Sequence, residues 1–366
     1  MKSKEWILRN LPHLLVALVI IIIVVVIRSF SLPDTKRPVV AGIVLIGSKS
    51  DSGWNESHYI GLMNACREQN CALKVHEYVP EEEAALYNAV DALIKEGANV
   101  IYLTSFGYGA FADGIADKHP DIAFFCLSGK GTAKNCTSYF ARLYQVRYLA
   151  GIAAGAASRS GILGYVAAMP NAETNRSINA YALGMRAANP KAKLLVRFTG
   201  SWDHEEKERE SVSLLAQKGA DVITYHEDRP YAIQEAERLG LLSTGYNAVS
   251  AEHTDRFLTA ALYNWDIIYG KVLGDYLSGR ANLSKNYWSG LSEGGVRLYP
   301  LSALVPEKAM ILIEQEKKRI MTNRDVFSGI LYDNEGNIRC GEDERISDDE
   351  LFHGMEWFAE GVEIYE

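Results

Sequence analysis

A regular alternation of strand-like and helix-like segments is the strongest constraint on the fold of this 366-residue chain. In the first part, short apolar runs predict strands at residues 39–46, 72–78, 99–103 and 122–127. Between them, helical periodicity predicts helices at residues 54–68, 82–96 and 110–118. This order is typical of a doubly wound, mostly parallel α/β sheet.

A second set of the same kind follows along the chain. Strands are predicted at residues 161–167, 194–198, 221–225 and 241–245, and helices at 143–158, 174–188, 205–218 and 229–239. The remaining pattern predicts helices at residues 257–277 and 306–320, a hairpin at 333–336 and a last helix near 348–359. Two consecutive α/β sets predict two Rossmann-like lobes, with ligands bound where the carboxyl ends of their strands face each other.

The two predicted lobes are discontinuous in the chain. The first lobe comprises residues 39–141 and about 255–283, and the second comprises residues 142–254 and about 284–300. Residues 301–366 are expected to form C-terminal helices and a tail packed on the lobes. Residues 31–38 are a linker to an N-terminal segment, residues 1–30.

The N-terminal segment contains an uncharged run, residues 11–27, which starts at Leu11 and ends at Ile27 and is closed by Arg28. At about 1.5 Å per residue it spans roughly 25 Å, slightly less than a hydrocarbon core. A cleaved signal peptide is the alternative, but its apolar core is usually about 7–15 residues and small residues follow it. Because Lys2 and Lys4 precede the run, we expect an uncleaved single-pass anchor in the cell membrane with the body on the extracytoplasmic side.

Composition and motifs exclude several functional classes. The net charge is −8 and no basic cluster is present, which disfavours nucleic acid as a partner. The chain contains no HExxH or CxxC motif, so we expect neither an enzyme nor a cofactor or metal site. The cysteines leave two alternatives open, since Cys66 with Cys71 and Cys126 with Cys136 could form disulfides or remain buried thiols.

Candidate ligand-binding residues in the first lobe lie in the loops that follow predicted strands. A polar, glycine-containing loop brings Trp54 and Asn55 to the start of a helix, and a later loop carries Ser105 and Phe106 beside glycines. Each also has a purely structural explanation. Trp54 could pack as a hydrophobic staple, Asn55 could cap its helix, and Phe106 could face the core.

Trp202 occupies the equivalent loop of the second lobe. Closure of the lobes would then hold a planar ligand between Trp54 and Trp202. Stacking contributes about 1–3 kcal/mol per face, whereas a micromolar dissociation constant needs about 8 kcal/mol. Polar groups must therefore contribute the remainder of the binding free energy.

The polar candidates in the second lobe are Glu173, Asn179, Asp228 and Asn247. Glu173 could instead be a first-turn acid that interacts with the helix dipole, and Asp228 could cap the following helix. His226 is more simply explained as a turn histidine. A metal site that uses it is weakly indicated, because adjacent side chains on a strand diverge.

Several segments together resemble the basic membrane protein family of substrate-binding proteins, a type I periplasmic-binding-protein-like group that includes purine nucleoside receptors. The segments are residues 52–58 (SGWNESH), 104–108 (TSFGY), 141–151, 176–181 (RSINAY), 200–203 (GSWD), 219–223 (GADVI), 245–246 and 327–358. The resemblance implies two lobes joined by a hinge that close on a purine. It also implies delivery of the solute to the permease and ATPase subunits of an ABC importer.

By position, Trp54 and Trp202 match the family's base-stacking aromatics, and Asn55 matches the amide beside the first. Nucleoside-binding members carry an aspartate where this chain has Asn247 and a lysine where it has Tyr263, both expected to bind ribose. The two departures favour a free base, adenine-like, over a nucleoside. The chain also lacks the family's lipidation cysteine, which is compatible with the expected anchor.

Two other functions remain open from the sequence. A membrane-anchored sensor or regulator of the same fold would signal to a partner instead of transporting a solute. A nucleosidase-like hydrolase would consume purine nucleosides.

Overall fold

The structure, a computed structural model, describes residues 38–129, 131–247, 253–281, 286–322 and 324–366. Residues Val40–Glu366 form one compact unit. The expected membrane anchor, residues 11–27, and nearly all of the linker lie outside the described residues. Within the described residues, no helix combines the length and the apolar character that a membrane span requires.

The first lobe is built on a six-stranded sheet in which every neighbouring pair is parallel. Its strands are β1 (Val40–Val44), β2 (Ala72–His76), β3 (Val100–Leu103), β4 (Ala123–Leu127), β5 (Cys136–Ala141) and β11 (Tyr287–Ser289). Their order in the sheet is β11-β5-β4-β3-β1-β2. Strands β3, β4 and β5 are buried at every residue, as expected for a parallel sheet covered on both faces.

The second lobe is built on a seven-stranded sheet. Its strands are β6 (Ile162–Ala167), β7 (Lys193–Phe198), β8 (Val222–His226), β9 (Leu242–Tyr246), β10 (Phe257–Tyr263), β12 (Val296–Leu298) and β15 (Val362–Ile364). Their order is β12-β10-β9-β8-β6-β7-β15, and only the β10–β12 pair is antiparallel. A separate antiparallel hairpin of β13 (Leu331–Tyr332) and β14 (Ile338–Cys340) is formed where the sequence predicts one.

Helices cover both sheets. They are α1 (Trp54–Glu68), α2 (Glu83–Lys95), α3 (Ala112–Lys118), α4 (Tyr144–Ala157), α5 (Ala172–Ala188), α6 (Glu205–Gln217), α7 (Tyr231–Arg238), α8 (Trp265–Leu277) and α9 (Glu307–Met321). Helices α4 and α5 pack closely, and a Cβ at Gly184 would lie 1.9 Å from the Tyr148 carbonyl oxygen. Glycine at this position therefore permits the contact between the two helices.

The chain crosses between the sheets three times within the described residues, after β5, after β10 and after β11. Strands β5 and β11 lie at one edge of the first sheet, and β10 and β12 lie at one edge of the second. The crossovers therefore lie together, which is the arrangement of a hinge. The α/β fold with two lobes and mostly parallel sheets agrees with the sequence prediction.

The prediction of one long helix at residues 257–277 is wrong. The segment forms β10 in the second sheet, followed by α8, which packs on α1 of the first lobe. All seven residues of β10 are buried, so its continuous apolar pattern does not distinguish a buried strand from a helix. The expected first-lobe segment at about 255–283 is accordingly divided between the two lobes. The expected second-lobe segment at about 284–300 is divided as well, because β11 lies in the first sheet and β12 in the second.

The predicted last helix near residues 348–359 is formed only in its first part, because the helical residues are 348–354, of which Glu350–Gly354 form one wide turn. Beyond this turn, side chains of α5 form hydrogen bonds with the backbone of the C-terminal tail. Asn175 donates to the Met355 carbonyl, while Asn179 donates to the Trp357 carbonyl and accepts from Ala359 N–H. Strands β5 and β15 were not predicted from the sequence at all.

All five cysteines are free thiols. Cys126 and Cys136 lie on the adjacent strands β4 and β5, but the register pairs Cys126 with Ser138. Burial raises the pKa of Cys66 and of Cys136 to about 12, so both are protonated at neutral pH. Between the two alternatives left open by the sequence, the structure has thiols and no disulfide.

Candidate functional site

A small cavity, with room for only about 20 Å³, lies between the lobes, where strand ends of the two sheets face each other. Its lining residues are Trp54, Ser105, Phe106, Leu127, Glu173, Trp202, Asp228 and Tyr246. Six of these belong to the ten residues predicted from the sequence as ligand-binding. Leu127 and Tyr246 were missed, although both end a strand and the rule used for the other residues would have found them.

Trp54 is fixed at the start of α1 by its indole. Its Nε1–H donates to the Thr104 carbonyl oxygen at 2.9 Å, and its ring meets the rings of His58, Tyr263 and Trp265 edge-on. The side chain is 6% exposed. Because its polar atom and edges are engaged by the protein, the surface that Trp54 adds to the cavity is apolar.

The loop before α1 is organised by Asp51 and Asn55. The Asp51 carboxylate accepts from the backbone N–H groups of Gly53, Asn55 and Glu56. Asn55 accepts from Gly47 N–H at 3.1 Å and donates to Asp51 at 2.8 Å. Asn55 therefore stabilises the loop that positions Trp54, and its side chain does not line the cavity.

The backbone of Asp228 joins the two tryptophan loops across the cleft. Its N–H donates to the Trp202 carbonyl at 2.8 Å, and its carbonyl accepts from Trp54 N–H at 3.3 Å. A Cβ on Gly53 would lie 2.1 Å from the Asp228 carbonyl oxygen. The closed arrangement of the two loops thus depends on glycine at position 53.

Ser105 and Phe106 form one wall of the cavity. Glu81 accepts from the Ser105 hydroxyl and from Gly107 N–H, and so holds the loop between them. Phe106 is 41% exposed and also lines a larger, open cavity next to Pro170. Phe106 thus lies between the two cavities.

Glu173 lies in the first turn of α5 and is 4% exposed. The nearest ionisable partner is His226, whose Nε2 lies 3.6 Å from Glu173 Oε1, beyond hydrogen-bond distance. His226 is fully buried and its ring packs at 4.3 Å from that of Tyr246. Burial lowers the pKa of His226 to about 4, so its imidazole is neutral at pH 7.

The carboxyl group of Asp228 is surrounded by other acids. Burial raises the pKa of Asp228 well above its usual range, and the charges of Asp51, Asp203, Glu81 and Glu208 raise it further. The ionised form is therefore disfavoured at this position, and a carboxyl group that holds its proton can donate as well as accept a hydrogen bond.

Besides Asn55, three predicted site residues lie away from the cavity. Asn179 binds the tail backbone, as described above. The amide of Asn247 bonds to Ser57 and accepts from the Trp265 indole, and Tyr263 stacks on Trp265 with ring centroids 4.6 Å apart. Asn247 and Tyr263 thus pack behind Trp54 and support it without facing the cavity.

A metal centre finds no support in the part of the chain that the structure describes, where no group of three or more His, Cys, Asp or Glu side chains could hold an ion. His226 is fully buried beside Glu173, Trp202 and Tyr246, and neither ring nitrogen has a hydrogen-bond partner among the described residues.

Residues 39–327 match the family model described as ABC transporter substrate-binding protein PnrA-like. A Haloferax volcanii protein, provisionally named an ABC transporter glucose-binding protein, is 31% identical over 90% of this chain and 82% of its own length. A purine-binding protein of Brucella abortus is 31% identical over 88% of this chain and 92% of its own length.

Solved structures show the same fold at lower identity. An ABC transporter solute-binding protein from Aeropyrum pernix has a TM-score of 0.69 at 17% identity, covering 88% of this chain and 100% of its own. A transcriptional activator of the comK gene from Bacillus halodurans has a TM-score of 0.69 at 22% identity, covering 78% of this chain and 98% of its own.

Proposed function

This chain belongs to the PnrA-like family of ABC transporter substrate-binding proteins, and from that premise we propose that it is a receptor for a purine base. The family implies a small-molecule ligand and an ABC permease as partner. In the proposal, the lobes close on an adenine-like base outside the cytoplasm and pass it to the importer. The binding step involves no chemical reaction.

The observation that carries this proposal is that Trp54 and Trp202, from opposite lobes, line one cavity. Indoles on two sides suit a flat, largely apolar ligand, and each stacked face contributes about 1–3 kcal/mol. Glu173 and Asp228 supply the polar groups that orient such a ligand. A nucleoside is a weaker candidate, because Asn247 and Tyr263, at the positions expected to bind ribose, are engaged elsewhere.

The names of the two relatives at 31% identity point to different ligands, a purine and glucose. Sugars also bind on aromatic faces, but they require several hydrogen-bonding groups around the ring. Apart from Ser105, which is bonded to Glu81, the polar groups of this cavity are two carboxyls and the polar atoms of Trp202 and Tyr246. We therefore favour the purine, and glucose is the comparison ligand in the test.

Calorimetric titration of the purified full chain in detergent with adenine, hypoxanthine, adenosine and glucose tests the proposal. We expect tight one-to-one binding of a base, weakened at least tenfold in Trp54→Ala and in Trp202→Ala. Tyr78→Ala is the control, since Tyr78 is 70% exposed and does not line the cavity. Binding of glucose alone by the folded protein would contradict the purine assignment.

We also propose that residues 11–27 anchor the protein in the membrane with its body on the extracytoplasmic side. The support is the length of the uncharged run and its basic N-terminal flank. The same fold in the Bacillus halodurans transcriptional activator supports a second candidate, a ligand-dependent regulator. Loss of purine uptake in cells that lack the protein would favour transport, and unchanged uptake would favour regulation.

A further inference from the structure

The ligand cavity offers acceptors and no cation. Among the described residues that line it, the charged or titratable side chains are Glu173, Asp228 and Tyr246, and none is lysine, arginine or histidine. An ionised carboxylate only accepts hydrogen bonds, and a neutral carboxyl still accepts through its carbonyl oxygen. The cavity lining therefore suits a ligand that carries hydrogen-bond donors.

Two other polar groups at the cavity are already engaged by the protein. The Ser105 hydroxyl donates to Glu81, and the Trp54 indole N–H donates to the Thr104 carbonyl at 2.9 Å. By contrast, neither the Glu173 nor the Asp228 carboxyl has a hydrogen bond within 3.5 Å to any residue that the structure describes. These two carboxyls are thus available to a ligand.

Glu173 is almost fully buried, and a buried carboxyl without a donor is costly. His226, 3.6 Å away, is neutral and has no hydrogen-bond partner on either ring nitrogen among the described residues. The buried arginines of the second lobe bind other groups, since the terminal nitrogens of Arg147 donate to Thr224 and the Tyr225 carbonyl and Arg176 donates to the Leu351 carbonyl. Arg147 Nε has no partner among the described residues. A donor on the ligand would satisfy Glu173.

The surroundings of the cleft also repel anions. Asp51 precedes α1, Asp203 precedes α6, and Glu81 lies in the loop before α2, and all three act electrostatically on Asp228. A phosphate or carboxylate on the ligand would enter this field without a cationic partner in the cavity lining.

We propose that the cleft selects uncharged heterocycles that carry N–H donors, with Glu173 and Asp228 as their acceptors, and excludes phosphorylated ligands such as nucleotides. This selectivity rests on the proposed purine-binding function and narrows its ligand class. Adenine meets the requirement through its amino group and its imidazole N–H, and adenosine monophosphate fails it through its charge.

The first test compares adenine with unsubstituted purine, which lacks the amino group, and with adenosine monophosphate. Titration of the full chain in detergent measures the three affinities. Hydrogen bonds to charged groups predict that purine binds about 10- to 150-fold more weakly than adenine. Adenosine monophosphate is expected not to bind at millimolar concentration.

The second test assigns the acceptors. Glu173→Met and Asp228→Leu each remove an acceptor, and we expect at least one of them to reduce the adenine-to-purine affinity ratio to about one. Glu173→Gln keeps an acceptor oxygen and is expected to restore part of the ratio lost in Glu173→Met. Glu210→Gln is the matched control, because Glu210 is exposed and does not line the cavity.

Retained binding of unsubstituted purine shows that each variant is folded. Equal affinities for adenine and purine in the unmodified protein, or binding of adenosine monophosphate as tight as that of adenine, would overturn the N–H selectivity and leave a purine receptor. Failure of every base to bind the folded protein would instead overturn the proposed function.

Discussion

Buried carboxyl groups are concentrated near the ligand cavity in the second lobe. Glu208, on α6, is fully buried, and burial raises its pKa from 4.5 to about 8. Its Oε2 accepts from Ala232 N–H, whereas its Oε1 has no partner among the described residues. Burial also raises the pKa of Glu227 well above its ordinary value, and the charge of Glu208 raises it further.

These groups make the stability of the protein depend on pH in a defined direction. Because the folded-state pKa of Glu208 exceeds its unfolded value, its neutral form is favoured by folding. The stabilisation of the folded state by the neutral Glu208 carboxyl is fully present below about pH 4.5. It declines as the pH rises and is lost above about pH 8. The slope is at most about 1.4 kcal/mol per pH unit for one such group.

We expect Glu208→Gln to make the free energy of unfolding less dependent on pH between 5 and 8, because glutamine does not titrate. Urea denaturation of both proteins across this range measures the two slopes. Glu210→Gln, an exposed position on the same helix, is the control and should keep the original slope. Equal pH dependence of the free energy of unfolding in the unmodified protein and in Glu208→Gln would contradict the raised pKa of Glu208.

At the scale of elements, a backbone hydrogen bond joins two loops that belong to different lobes. The loop before α1 meets the end of the loop after β8 where Trp54 N–H donates to the Asp228 carbonyl. Gly53 lies at this contact and leaves no room for a side chain. The contact brings the two tryptophans to the same cavity.

We expect Gly53→Ala to weaken ligand binding at least tenfold, because its Cβ would lie 2.1 Å from the Asp228 carbonyl oxygen. The clash occurs only between the loops, so the variant should fold with unchanged secondary structure. Titration with the best ligand and circular dichroism measure the two properties. Gly270→Ala is the matched control, since a Cβ there meets no atom within 4 Å. Unchanged affinity in Gly53→Ala would show that binding does not require this contact.

For the whole molecule, the ligand cavity and the expected membrane anchor belong to separate parts of the chain. All residues that line the cavity lie between Trp54 and Tyr246, inside the compact unit Val40–Glu366. The permease must reach this unit outside the cytoplasm if the chain acts as an importer receptor. Anchoring and ligand binding are therefore expected to be separable.

We expect a chain that begins at Pro38 to bind the ligand with the affinity of the full chain, because no cavity residue is removed. The full chain should remain with the membrane after alkaline extraction, and the shortened chain should not. Fractionation and titration measure both properties. Extraction of the full chain together with peripheral proteins would contradict the anchor at residues 11–27, and a changed affinity would contradict the separation of the two functions.

The alternation of apolar runs and helical periodicity determined the α/β class, the two lobes and the boundaries of most elements to within a few residues. Helix α1 lies at the predicted residues, because its pattern is local to the chain. A second local rule is that polar and aromatic residues directly after strands face the cleft. This rule predicted both Trp54 and Trp202 as ligand-binding residues. Both line one cavity, and their contact with a ligand remains a prediction.

Only the tertiary structure decided which amides and rings face that cavity. Asn179 and Asn247 were equivalent to Glu173 in the sequence, yet they bond to Trp357 and Trp265, whose positions depend on how distant segments pack. The strand at Phe257–Tyr263 was equally undetermined, because a segment buried on all sides carries no periodicity. Periodicity along a chain specifies its faces, whereas the partner of a buried polar group is specified by residues far away in sequence.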